Sequence, residues 1–62
     1  MNITVNGETR EVQSRTTLQV LVDNPHGMAI ALNGEVIRTS DWGHTTLTDN
    51  DAVEIVTARQ GG

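Results

Sequence analysis

The side chains that most often do chemistry are few in this chain and poorly placed for it. His26 and His44 are the only histidines, and neither has a second ligand at metal-binding spacing. Each reads as a loop histidine beside a glycine. Asp49 and Asp51 bracket Asn50, but a calcium loop would need a central glycine and a distal glutamate that this segment lacks. The three residues read instead as a turn with Asn50 in a left-handed conformation. Ser40 has no positioned base and offers no nucleophile. Cysteine is absent, which removes disulfides, thiolate metal sites and thiol nucleophiles. No catalytic residue, no metal site and no bound cofactor is expected. What remains is the end of the sequence, Arg59-Gln60-Gly61-Gly62. Two glycines make a slim tip that can thread a narrow channel, where any Cβ would clash. A free carboxylate on Gly62 is a poor electrophile. Adenylation with ATP would turn it into a mixed anhydride with a good leaving group, and a sulfur donor attacking there would leave a thiocarboxylate. In that chemistry the chain is a carrier, not an enzyme.

A tip of this kind needs a scaffold, and 62 residues with 35% apolar content allow one small domain with a thin core. A deep pocket has little room. Formal charge is −4, and the four basic residues are scattered arginines with no lysine, so nucleic-acid binding is not expected. Trp42 is the single aromatic residue, too few for base stacking. The longest apolar stretch, Met28 to Leu32, is far too short to span a bilayer. No basic region precedes an apolar segment, so no secretory signal is expected and a cytoplasmic home follows.

Periodicity supplies the elements. Met1, Ile3 and Val5 alternate with polar residues, predicting a half-buried strand that ends in an Asn6-Gly7 hairpin turn. A weaker strand is expected through Arg10-Glu11-Val12-Gln13. Thr16-Thr17-Leu18-Gln19 fits a capping box, with Thr16 as N-cap and Gln19 reaching back. Leu18, Leu21 and Val22 then share one helical face, and Asn24-Pro25 stops the helix after about two turns. Met28 to Leu32 predicts a strand with Ile30 and Leu32 inward and Ala29 and Ala31 outward. Asn33-Gly34 turns it back through Glu35-Val36-Ile37-Arg38. Thr39 to Gly43 suits a short 3₁₀ turn that folds Trp42 onto the core. The last strand is expected over Ala52 to Ala58, with Val53 and Ile55 on one face and Glu54 and Val56 on the other. Hairpin, helix, hairpin, strand is the order of an α+β β-grasp domain, a mixed sheet of four to five strands wrapped around one short helix. Its first and last strands would lie parallel at the centre. The domain is expected over residues 1–58 and a flexible Gly-Gly tail over 59–62.

On these residues the chain resembles the ThiS family, bacterial sulfur carriers of thiamine biosynthesis within the ubiquitin-like β-grasp superfamily. The resemblance spans essentially the whole chain. It is carried by Met1-Asn2-Ile3-Thr4-Val5-Asn6-Gly7, Ala29 through Arg38, Asp41-Trp42, Leu47 through Val56, and Gly61-Gly62. It implies that an E1-like adenylyltransferase uses ATP to activate the Gly62 carboxylate. Sulfur from a cysteine desulfurase then replaces one oxygen, and the thiocarboxylate donates that sulfur to a thiazole synthase. It also implies that Gly61, Gln60 and Arg59 pass through the partner's channel, that partners dock on the outer sheet face around Ala29, Ala31 and Val56, and that the carrier works as a monomer. Three rival readings share parts of this pattern. One is a carrier for another sulfur product, similar to the small subunit of molybdopterin synthase. Another is a ubiquitin-like modifier joined through Gly62 to lysines of other proteins. The third is a β-grasp binding module with an inert tail.

Overall fold

The computed structural model describes residues 1–22 and 26–57. Within them the elements run β1 (Asn2–Val5), β2 (Glu8–Glu11), α1 (Leu18–Leu21), β3 (Met28–Leu32), β4 (Glu35–Ile37), a 3₁₀ segment (Thr39–His44) and β5 (Ala52–Thr57). The sheet has the order β2-β1-β5-β3-β4. β1 and β5 pair in parallel, Val5 beside Val53, and the other three pairings are antiparallel. The expected β-grasp with a parallel central pair is therefore the fold observed.

Both Asn-Gly turns form as their chemistry requires. Asn6 and Gly7 have φ of 52° and 86°, and Asn33 and Gly34 have 51° and 87°. Paired positive φ values match the twist of a two-residue hairpin, and asparagine followed by glycine reaches them at low cost. β2 begins two residues earlier than expected, because the tight Asn6-Gly7 turn sets Val5 opposite Glu8. Val12 still closes the ladder, donating its N–H to the Met1 carbonyl at 2.9 Å.

One face of the sheet builds the core. Ile3, Val5, Ile30 and Val53 are buried there against Leu18, Val22, Trp42 and Leu47. Trp42 is fully enclosed and donates its indole N–H to the Ile37 carbonyl at 3.0 Å. The tryptophan is thus the core filler, presented by the 3₁₀ segment as expected.

The helix departs from expectation in its start and its length. Thr17, not Thr16, occupies the N-cap, and no side chain caps the helix. The Thr16 hydroxyl instead donates to the Gln13 carbonyl at 2.6 Å, and the Gln19 amide donates forward to the Val22 carbonyl at 3.2 Å. The Leu18 N–H is satisfied by the Thr45 carbonyl at 3.1 Å, and the Leu47 N–H by Thr16 at 2.8 Å. A short antiparallel contact with residues 45–47 does the work of a capping box. The helix is one turn, not two. Val22 leaves it with an extended backbone (φ −133°, ψ 113°) and buries its side chain in the core. A marginal helix gains less from another turn than Val22 gains from burial. The proposed stop at Asn24-Pro25 lies outside the described residues.

Candidate functional site

Gly62, Gly61, Gln60 and Arg59 lie outside the described residues, as does Ala58, the expected end of the last strand. β5 is described through Thr57, paired with Met28. Five residues follow it to Gly62.

The strand that leads to those residues is clamped by two turn asparagines. Asn33 donates its side-chain N–H to the Asp51 carboxylate at 3.0 Å and accepts the Ala52 N–H at 2.9 Å. Asn6 accepts the Ile55 N–H at 2.8 Å and donates to the Ile55 carbonyl at 3.2 Å. Each hairpin turn therefore reaches across to the last strand. Sequence reasoning found the turns but not these side-chain roles, since the partners lie 49 and 18 or 19 positions away.

The outer face of the sheet carries the other predicted residues. Register sets Ala29 beside Val56, and Ala31 between Glu54 and Val36. Together with Ile30 these residues line a shallow concavity of about 150 Å³. The two alanines make a low floor. Val36 on β4 and Val56 on β5 flank it on either side of β3, with 75% and 56% of their surface exposed. The structure thus brings Ala29, Ala31 and Val56 together, and it adds Val36 and Glu54. Val36 was open to deduction. A two-residue loop at Asn33-Gly34 sets Leu32 opposite Glu35 and hence Ala31 opposite Val36.

The remaining polar candidates lock turns or lie exposed on the surface. Asp49 accepts the Asn2 N–H at 2.8 Å, and Asn50, at φ 74°, donates its N–H to the Asn2 carbonyl at 2.7 Å. Asp51 is buried and accepts from the Thr48 N–H at 2.8 Å and from the Thr48 hydroxyl and the Asn33 amide at 3.0 Å each. These are turn-locking bonds, as the turn reading of Asp49-Asn50-Asp51 implies. His26, His44 and Ser40 are exposed. Among the described residues no group of three or more His, Cys, Asp or Glu is arranged to hold a metal ion, and no helix is long and apolar enough to cross a membrane.

Burial pushes the Asp51 carboxyl up, but the hydrogen bonds from Thr48 and Asn33 outweigh it and hold its pKa below the ordinary 3.8. A carboxylate more acidic in the folded chain than in the unfolded one stabilises the fold above the unfolded value, and that contribution disappears as pH falls through the folded value. Chemical denaturation as a function of pH should therefore show stability falling below pH 3.8. Asp51→Asn should flatten that part of the profile and cost about 1–3 kcal/mol near neutrality, by leaving donors of Thr48 or Asn33 unmatched.

Comparison with known proteins agrees with this geometry. The chain matches the model of the ThiS family over residues 3–62. It is similar to the crystal structure of the thiamine biosynthesis protein ThiS from Geobacter metallireducens, with 33% identity, 100% of both chains covered and a TM-score of 0.85. No curated protein matches it.

Proposed function

The chain belongs to the ThiS family, small sulfur carriers of thiamine biosynthesis and not catalysts, and from that membership we propose that Gly62 is the point of sulfur attachment. The carboxylate of Gly62 attacks the α-phosphate of ATP on an E1-like adenylyltransferase, releasing pyrophosphate and forming an acyl adenylate. The persulfide of a cysteine desulfurase attacks the adenylate and displaces AMP, giving an acyl disulfide, and a thiol then reduces its S–S bond to leave a thiocarboxylate and a disulfide. That thiocarboxylate is the nucleophile delivered to a thiazole synthase. The carrier binds no cofactor of its own; ATP is consumed by the activating partner. It visits its enzymes as a monomer, and because activation uses ATP we assign this work to the cytoplasm. The observation that carries this reading is a family match that runs through Gly61 and Gly62, on a chain whose described residues hold no metal-type cluster and whose sequence has no cysteine.

Docking belongs to the outer face. Val36, Val56, Ala29 and Ala31 offer apolar contact without disturbing the core behind them, and Gly61, Gln60 and Arg59 pass onward into the partner. Val36→Glu separates the two functions. Its side chain is largely in solvent, so stability should move by less than about 0.5 kcal/mol. Covering an apolar side chain is worth about 1.5 kcal/mol, so KM for the carrier in the activation reaction should rise roughly tenfold. Steady-state kinetics at varied carrier concentration, beside a thermal melt, check both halves.

The reading itself is tested by incubating the chain with activating enzyme, ATP, cysteine and desulfurase, and weighing all proteins afterwards. A carrier gains the mass of one oxygen-to-sulfur exchange. A modifier appears instead on other proteins as a heavier conjugate, which would overturn the reading.

A further inference from the structure

β1 pairs with β5 only as far as Val5, beside Val53. Asn6 then gives its backbone N–H to the Val53 carbonyl at 2.8 Å, and the chain turns away through Gly7. Hydrogen bonding on that edge of β5 nevertheless continues. The Asn6 carboxamide takes both the N–H and the C=O of Ile55, at 2.8 and 3.2 Å. It stands where the peptide group of one more strand residue would stand. On the opposite edge β3 runs alongside as far as the Met28–Thr57 pair. Among the described residues, Ile55 is the last position of β5 held on the β1 edge.

We propose that Asn6 is a positioning residue for sulfur loading: by holding Ile55, its carboxamide fixes the β1 edge of β5 and with it the direction in which the strand's end points toward Gly62. The inference rests on the reading of Gly62 given above. Gly62 lies five residues beyond Thr57, a span of at most about 17 Å when fully extended. With so short a reach, the direction in which the end of β5 points decides where the terminus can go once the Ala29–Val56 face is docked. Freeing Ile55 leaves the end of β5 held on its β3 edge alone, so the strand's end can tilt and Gly62 is spread over a larger volume. Its effective concentration at the partner's reaction centre then falls.

Asn6→Gly isolates this role. Glycine accepts the left-handed φ of 52° at least as readily as asparagine, so the turn survives while the carboxamide is lost. Asn6→Asp keeps an acceptor for the Ile55 N–H but sets a second oxygen against the Ile55 carbonyl. Two readouts are needed, amide hydrogen exchange on the free chain and the rate of ATP-dependent thiocarboxylate formation. In Asn6→Gly, Ile55 should lose more protection than Ile3 and Ile30, which sit in the core. kcat for loading should fall about fivefold with KM little changed, as expected when a docked terminus is diluted. Asn6→Asp should fall at least as far. An Asn6→Gly chain that loads at the unsubstituted kcat, or whose Ile55 exchange moves only in step with Ile3 and Ile30, would overturn the proposal. If the unsubstituted chain takes up no sulfur, the reading of Gly62 fails and this inference falls with it. If it loads and Asn6→Gly loads equally well, only the role of Asn6 fails.

Discussion

Deleting Gly62 should abolish sulfur loading while leaving the folded domain as it was. The deletion moves the terminal carboxylate back by one residue, about 3.5 Å along the chain. A misplacement of 1 Å at a reacting centre can cost about 100-fold, so activation should drop by at least that much. Gly61→Val should do comparable damage by a different route, because on the proposed reading its branched side chain would have to enter a passage suited to a bare backbone. Neither position is among the residues that build the described core. The buried cluster ends at Val53, and the last described hydrogen bonds of β5 involve Ile55 and Thr57. Circular dichroism and the melting curve should be unaltered, so lost activity is assigned to the terminus. A truncated chain that loads sulfur at the full rate would refute this.

The second large effect is on stability. Trp42→Ala should destabilise the domain by about 3–5 kcal/mol, the range for removing a buried aromatic side chain. A domain of this size has roughly 3–9 kcal/mol in total, so much or all of its stability would go. The reason lies in the packing. Trp42 is the largest fully buried side chain, and it is the only aromatic one in the chain. No neighbour is large enough to fill the space it leaves. Trp42→Phe keeps most of the volume but leaves the Ile37 carbonyl without its indole N–H donor, and should cost about 1–3 kcal/mol. Because Trp42 is the sole tryptophan, far-ultraviolet circular dichroism must follow the transition. A Trp42→Ala chain within about 1 kcal/mol of the original would contradict the packing account.

Local chemistry made much of the architecture legible. Asn6-Gly7 and Asn33-Gly34 announced their turns because few residue pairs tolerate two successive positive φ values. The large-small alternation of Ala29-Ile30-Ala31-Leu32 announced which side of β3 is buried, and Val53, Glu54, Ile55 and Val56 did the same for β5. What sequence could not show was long-range hydrogen bonding. The Thr16-Gln19 capping box failed because the Thr16 N–H and hydroxyl both turn to the Gln13 carbonyl, while Thr45, far along the chain, satisfies the Leu18 N–H. The grip of Asn6 on Ile55 and of Asn33 on Asp51 and Ala52 likewise has no local signature. Arg15 adopts a φ of 72°, the left-handed region that usually selects glycine or asparagine, and nothing in its residue type foretold it. The candidate site divides the same way. The outward-facing residues were legible as alternation, with Val36 added by hairpin register, whereas Gly61-Gly62 was legible only as chemistry.

The most direct measurement uses the chain's own cleavage site. Trypsin cuts after Arg59 and releases Gln60-Gly61-Gly62 as a separate tripeptide. The chain is loaded with activating enzyme, ATP and sulfur donor, digested, and its fragments weighed. The account predicts that the exchanged sulfur resides in this tripeptide and appears only when ATP is present. With no cysteine elsewhere to hold a persulfide, no other fragment should gain mass. A tripeptide that keeps its original mass while the enzyme consumes ATP, or a sulfur found on any other fragment, would contradict it.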